Sequence, residues 1–539
     1  MEIKKLEKKI KAILSKHFPP ENLESFFLSQ PPAHISADAS TNFALSIAKK
    51  ERKNPVELAK KLCEILAAEK IGAEVMGAGF VNIRLEDSFF FEFAEKFSGA
   101  GYFKNPENAR KNILLEFVSA NPTGPLHLAS GSAATMGDSL ARIMNECGCS
   151  ARREYYVNDV GNQVKMLGLS LKARFLKKEL PENGYQGEYL VGIAGKLPPE
   201  AENWPDEKFS AFAIGEILKL HKKDMEDFRV TFDRWFEESE IHKKNLPAQT
   251  FEKLKAGGMA YQKDGAWWFG SSAQTAENGE NGDDKDRVLV KSDGNNTYFL
   301  NDLSYHMHKY ERGFNRVIDI LGADHHGYVP RMKAGIKAMG GDPDSFTVII
   351  HQMVYIKRGE EILKMSKRAG DFIPLRELLD EVGTDACRFF FSMRSPNTHL
   401  IFDIDLAKKK SNDNPVFYVQ YVHARINSIF ENAKEKGFDA DEKADFSAYK
   451  LNPEERGLLL KALWLERVLD HCLKDLSPHH LNGYLMELAG LFHSFYDKHK
   501  VVNPENEEQT LARLLMMKTV KHAIKTGLGL LGVSAPDKM

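Results

Sequence analysis

Between residues 111 and about 400, short apolar runs alternate with longer stretches of helical periodicity. Residues 113–118 (ILLEFV), 317–322 (VIDILG) and 348–350 (VII) have strand length and are nearly continuously apolar. Strands of that kind are buried on both faces, which a parallel sheet covered by helices provides. The alternation predicts an α/β core, a Rossmann-like parallel-sheet domain.

The flanks differ from this core. Residues 1–100 predict a small α/β domain. Leu6, Ile10, Ile13 and Leu14 repeat at helical spacing. Asn54-Pro55 opens a second helix, with Glu57 expected to complete a capping box. Two strands follow, at 74–76 and 80–85, around a Gly77-Ala78-Gly79 turn. From about 413 to 539 the pattern is that of a helical bundle, with Tyr418, Tyr421, Val422, Ile426 and Ile429 on one face. There Ser477-Pro478 is expected to cap a helix. The core, 111–405, carries a mostly helical, charged insertion over about 164–260. At about 150 residues per domain, 539 residues suit this division.

Composition narrows the class. The chain has 74 Lys and Arg against 76 Asp and Glu, so any nucleic-acid surface must be local. Five scattered cysteines do not make a disulfide framework and suit a reduced, cytoplasmic compartment. Cys147 and Cys149 form a lone pair, short of the four ligands of a structural zinc site, so no metal ligand is assigned. No apolar run approaches the ~18 residues of a membrane span. The first 18 residues are too charged for a secretory signal.

Two stretches carry chemistry. Residues 122–131 (PTGPLHLASG) follow a strand and open a helix. A strand, a Gly/Pro turn and a helix N-terminus form an anion site, because unpaired N–H groups and the helix dipole favour phosphate there. Alone, a histidine at such a turn is more often structural. Residues 364–370 (KMSKRAG) set two lysines around Met-Ser, and Gly370 gives the loop freedom to close on a polyphosphate. Alone, it reads as a solvated basic loop.

Together, a His-bearing turn after an early strand and KMSK after a late one resemble the class I aminoacyl-tRNA synthetases. Further stretches narrow the resemblance to the arginyl-tRNA synthetases over nearly the whole chain: 116–125 (EFVSANPTGP), 154–163 (EYYVNDVGNQ), 297–306 (TYFLNDLSYH), 321–328 (LGADHHGY), 393–399 (MRSPNTH) and 421–426 (YVHARI). One departure stands out. The family's His-x-Gly-His core is His127-Leu128-Ala129-Ser130 here, and Ser132 stands where an Arg is common.

The resemblance implies ATP-dependent ligation of L-arginine to tRNA(Arg) through an arginyl-adenylate. His127, Lys364 and Lys367 would be catalytic. ATP would contact His127, Ser130, Gly322, His325, Lys364, Met365, Ser366 and Lys367, with Mg2+ accompanying it. Glu116, Asn121, Tyr298, Asp302 and Asp324 would hold arginine. A guanidinium needs a carboxylate partner, which Asp302 supplies one helical turn from Tyr298. The N-terminal domain would contact the tRNA elbow through Phe80, a stacking face, and Asn82, a hydrogen-bonding amide. The C-terminal bundle would bind the anticodon. The family is commonly monomeric and generally needs tRNA for the first step. The alternative, motivated by Ala129 and Ser130, is a catalytically weakened tRNA-binding paralogue.

Overall fold

The computed structural model describes residues 1–32, 34–271, 285–322, 327–363, 373–442 and 444–539. Its N-terminal part is an antiparallel sheet of β1 (Ala39–Thr41), β2 (Gly72–Met76) and β3 (Phe80–Arg84), with β3 in the middle. The β2–β3 turn needs glycine: Gly77 and Gly79 have φ of 55° and 126°. Helices Glu2–Leu14 and Pro55–Ala68 bury Ile3, Ile10, Leu14, Leu58 and Leu62 against this sheet and its surroundings. Asn54 caps the second helix by accepting from the Val56 N–H at 2.8 Å. The return bond from Glu57 is not among the described hydrogen bonds, so the cap forms without the expected box.

The central sheet is entirely parallel. It contains β4 (Asn112–Glu116), β5 (Ser150–Val157), β6 (Arg234–Glu237), β7 (Arg316–Gly322) and β8 (Phe346–His351) in the order β8-β7-β4-β5-β6. This is the Rossmann-like core that the apolar runs predicted.

One expectation needs correction. The stretch 164–260 is not a helical insertion throughout, because β6 is an edge strand of the main sheet. Four residues are too few to show strand alternation. Pairing with β5 and the stacking of Trp235 on Tyr155, centroids 4.2 Å apart, recruit them. The inserted helices Asn162–Phe175, Tyr189–Ala194 and Asp206–Asp227 close over a small core of their own, including Leu167, Leu190, Phe209 and Ile217.

Helix α1 (Leu128–Glu146) follows β4 and packs tightly because its contact face is small. A Cβ at Gly137 would lie 2.3 Å from the ring of Phe117, a fully buried residue that itself packs on Phe232 at 4.7 Å. Gly137→Ala should gain about 1 kcal/mol of helix propensity. Overpacking a ring that cannot move away should cost ~1–3 kcal/mol and outweigh that gain. A lower urea midpoint with an unchanged m value would report it.

The C-terminal bundle comprises Pro415–Glu435, Pro453–Leu463, Leu465–Asp475, His479–Lys498 and Glu507–Leu530. On its first helix Val422, Ile426 and Ile429 are buried as expected. At the fourth helix the cap position falls on Pro478, and the Ser477 hydroxyl lies 2.6 Å from His479 Nδ1, with no side-chain cap bond.

Buried ion pairs fix the bundle in place. Arg456 reaches Asp38 at 2.7 Å and Asp87 at 2.5 Å in the N-terminal part. Arg388, fully buried, reaches Asp138 at 2.6 Å on α1 and the Leu531 carbonyl at 2.7 Å. Among the described residues no helix is long and apolar enough to cross a membrane.

Candidate active site

From β4 the chain winds outward to β5 and β6, then returns to β7 on the other side of β4. Ligands of such sheets bind where the winding reverses, outside the carboxyl ends of the two strands. Glu116 ends β4 and Gly322 ends β7. Beyond β4 the backbone turns sharply, with Val118 at φ 69° and Ser119 at φ 39°. A β-branched residue in the left-handed region costs about 1–3 kcal/mol and persists only where its surroundings enforce it. Here they do. The Ser119 hydroxyl donates to Glu116 Oε1 at 3.0 Å and accepts from the Tyr156 N–H at 3.1 Å.

The rest of the turn is held from the inserted helices. Tyr189 donates to the Thr123 carbonyl at 2.5 Å, and His221 Nε2 donates to the Gly124 carbonyl at 2.7 Å. Burial lowers the His221 pKa, which keeps the ring neutral with one N–H to give.

His127 sits at the N-cap of α1 in an extended conformation, and among the described residues no side-chain hydrogen bond caps this helix. The first-turn N–H groups of Ala129 and Ser130 are therefore available to an anion. The His127 backbone pairs with Pro374, and the Leu375 N–H donates to the Leu126 carbonyl at 2.8 Å. The chain that follows the KMSK stretch is thus tied to the histidine turn. Ser132 holds His351 Nε2 at 2.8 Å, and burial pushes that imidazole down to about 4.

A buried ionic cluster floors the crevice. Helix α2 (Tyr298–Glu311) lies across β7 and β4 and places Asp302, His306 and Lys309 on one side, four and three residues apart. Glu116 and Asp319 are register partners on β4 and β7, so two carboxylates adjoin. Lys309 Nζ lies between them, 2.6 Å from Glu116 and 3.0 Å from Asp319. His306 Nε2 is 2.7 Å from Asp319, and its Nδ1 is 2.8 Å from the Asp302 carbonyl and 3.2 Å from the Asp302 carboxylate. Burial opposes charge on His306, but Asp319 and Asp302 outweigh it and raise the imidazole to about 9. Burial also raises the Glu116 carboxyl, against the pull of Lys309. Glu154 anchors the helix through Tyr305 at 2.7 Å and a bidentate bond from Arg312 at 2.5 and 2.8 Å.

At the mouth, Tyr328 hydrogen-bonds to Asp302. Glu238 is buried at the start of a short helix after β6, and burial pushes its carboxyl up to about 7; Tyr156 hydrogen-bonds to it, while Asp159 and Asp302 add to the rise. Asn121 donates to Gln163 at 2.9 Å at the rim.

The structure thus brings Glu116, Asn121, His127, Ser130, Asp302 and Gly322 to one end of the sheet. Tyr298 is 88% exposed at the start of α2, one turn before Asp302. Asp324, His325, Lys364, Met365, Ser366 and Lys367 lie outside the described residues. Phe80 and Asn82 sit apart on β3. Phe80 is 45% exposed, and Asn82 is 3% exposed with its amide nitrogen buried and without a hydrogen-bond partner among the described residues, beside a cleft shared with Ser36, Glu74 and Arg84.

Ser119, Glu154, Glu238, His306, Lys309 and Asp319 escaped the sequence reading. The spacing of Asp302, His306 and Lys309 on one helix could have found two of them. Glu238 carries no local signal.

Three family models match: the arginyl tRNA synthetase N terminal domain over residues 4–85, the class I (R) tRNA synthetase catalytic domain over 196–421, and the DALR anticodon binding domain over 419–539. An arginine–tRNA ligase from Elusimicrobium minutum is 52% identical over 518 residues, covering 95% of each chain. The chain belongs to the arginine–tRNA ligase family.

A Thermotoga maritima member is 41% identical with both chains wholly covered. A solved structure described as an arginyl-tRNA synthetase from Campylobacter jejuni is 35% identical, with TM-score 0.75, covering 84% of this chain and all of that one. The Thermus thermophilus arginyl-tRNA synthetase covers both chains fully at TM-score 0.79 and 21% identity, a likeness of fold.

Proposed function

We propose that this chain ligates L-arginine to tRNA(Arg) in two steps. The observation that carries the reading is an acid-lined crevice at the sheet's reversal point, beside an uncapped helix N-terminus. A guanidinium and a polyphosphate need those two features next to each other. ATP enters as its magnesium complex, the cation belonging to the substrate. The arginine carboxylate attacks the α-phosphorus in line, forming the acyl–phosphate bond as pyrophosphate leaves. The tRNA 2′-hydroxyl then attacks the acyl carbon, and AMP departs. Neither step needs a protein nucleophile, so catalysis is positioning and charge stabilisation.

His127 and the first-turn N–H groups of α1 serve the α-phosphate region. Ser130, Gly322 and His325 line the nucleotide site. Lys364 and Lys367 hold the pyrophosphate as it leaves, and Met365 and Ser366 join the ATP contacts. Glu116 and Asn121 hold the amino acid's polar groups, Asp302 takes the guanidinium, Tyr298 covers it and Asp324 completes the rim. Glu238 joins this set because its carboxylate lies near Asp302.

Residues 1–100 contact the tRNA elbow, where the unbonded Asn82 amide and the exposed Phe80 ring suit a nucleobase. The catalytic unit spans 111–405, with its insertion now bounded before β6. Residues 413–539 bind the anticodon. The chain works as a cytoplasmic monomer.

Aminoacylation of total tRNA with a panel of amino acids tests the reading. Charging by arginine alone is expected, and charging by another amino acid overturns it.

The Glu238 carboxyl gives a pH dependence. Its pKa in the free enzyme is raised to about 7, and a bound guanidinium favours the ionised form. Below that value arginine binding must expel a proton. The arginine KM should rise about tenfold per pH unit below 7 and flatten above it. In Glu238→Gln the slope should vanish while KM is raised throughout.

A further inference from the structure

The two carboxylates assigned to arginine do not stand alone. Glu116 ends a strand and Asp302 lies on a helix that crosses it, yet a continuous buried chain joins them. From Glu116 it runs to Lys309 at 2.6 Å, to Asp319 at 3.0 Å, to His306 at 2.7 Å and to Asp302 at 3.2 Å. The linking side chains are almost fully buried: Lys309 is 0%, His306 2% and Asp319 3% exposed. They therefore do not reach a substrate in the crevice.

We propose that His306, Asp319 and Lys309 are positioning residues that hold Glu116 and Asp302 as one rigid arginine-binding unit. The inference rests on the arginine reading above and deepens it.

The chemistry of the chain supports it. A lysine with three donors can bond two adjacent carboxylates at once and offset their charge, which a neutral residue cannot do. Without Lys309, register-paired Glu116 and Asp319 would repel one another in a buried site. His306 presents both ring nitrogens to acceptors, so it bridges only as the imidazolium with two donors. Its contacts from every packed element are consistent with that state. Asp302 and Lys309 face it from its own helix, Asp319 from β7, the Tyr328 ring at 6.3 Å and the Phe346 ring at 5.2 Å. Among the described residues Lys309 at 3.3 Å is the one opposing charge, and Asp319 between the two cations offsets it. A carboxylate held on two sides keeps its orientation. Asp302 is held by His306 and Tyr328, and Glu116 by Lys309 and Ser119.

The alternative is a cluster that only stabilises the fold. A binding role and a stability role separate kinetically, because a residue that positions the arginine site should move the arginine KM and leave the ATP KM alone.

The test uses full-length Asp319→Asn, Lys309→Met and the milder His306→Gln. A glutamine at 306 can bond Asp319 or Asp302 but not both, and it leaves no unpaired buried charge. Arginine and ATP KM and kcat are measured by aminoacylation, with thermal melting as a check on folding. In His306→Gln the arginine KM should rise about tenfold, with ATP KM and kcat within about twofold of wild type. Lys309→Arg, which keeps the charge and two donors, should recover part of what Lys309→Met loses. Should Asp319→Asn not fold, His306→Gln decides.

An unchanged arginine KM in folded His306→Gln overturns the proposal. So does a parallel rise in both KM values, which marks a general structural role. Wild-type enzyme that does not charge arginine would instead overturn the functional reading, so the two failures are distinguishable.

Discussion

Asp302→Ala should raise the arginine KM by about two orders of magnitude or more while the protein stays folded. Removing one partner of a buried charge pair costs ~3–5 kcal/mol. Asp302 is part-exposed at the crevice mouth, which argues for the lower end, and ~3 kcal/mol corresponds to about a hundredfold. The fold should survive because His306 keeps the backbone carbonyl of residue 302 at 2.8 Å and Asp319 at 2.7 Å. Tyr328 loses an acceptor for its buried hydroxyl, so some loss of stability should accompany the change without unfolding the protein. Steady-state aminoacylation over a range of arginine, with far-UV circular dichroism on the same sample, checks both parts. An arginine KM at the wild-type value would remove Asp302 from the pocket.

His127→Ala should slow adenylate formation by about 10²-fold or more, the scale of one lost transition-state donor. The Ala129 and Ser130 N–H groups of the α1 first turn remain in that variant, so activity should fall and not disappear. Single-turnover measurement with tRNA present separates this step from product release. Ser130→His restores the family's second histidine and should preserve or raise the rate.

The neighbourhood of Ser130 is crowded, however. A Cβ on the adjacent Gly131 would lie 2.6 Å from Leu375. The larger ring also needs the nucleotide to approach past the Ala129 methyl, so the change should be made with Ala129→Gly as well. A fully active His127→Ala enzyme would show that the HLAS turn does not do the work of the family's motif.

Much of the fold was legible because burial on both faces leaves a mark that needs no partner to read. The runs that became β4, β7 and β8 are apolar whatever they pair with. The strand β6 left no such mark, since an edge strand of four residues borrows its stability from β5 and from the stack of Trp235 on Tyr155. The capping box at Asn54 failed for a similar reason. Local sequence permits the reciprocal bond from Glu57, but the Asn54 oxygen bonds one residue earlier, to Val56.

For the site, the His127 turn, Asp302 and Glu116 were readable from residue types in stretches that resemble the family. Glu238 and Asp319 were not, and the helical spacing that puts His306 and Lys309 beside Asp302 does not reveal that they are buried. A buried cation is indistinguishable in sequence from a surface one, and Lys309 sits in the histidine-rich segment 305–310 (YHMHKY), which resembles any exposed helix.

The sequence by itself determined the family, the parallel-sheet core, the helical C-terminal bundle and the chemical groups available for arginine and phosphate. These depend on composition, periodicity and motif, which are properties of the chain taken locally. The tertiary structure alone decided which charges meet. Glu116 and Asp319 lie about two hundred residues apart along the chain, yet they become neighbours through strand register. Only when α2 crosses those strands does Lys309 fall between them. Coulomb interactions in a dry interior depend on distances of a few ångströms. Those distances are set by how the strands and the helix pack.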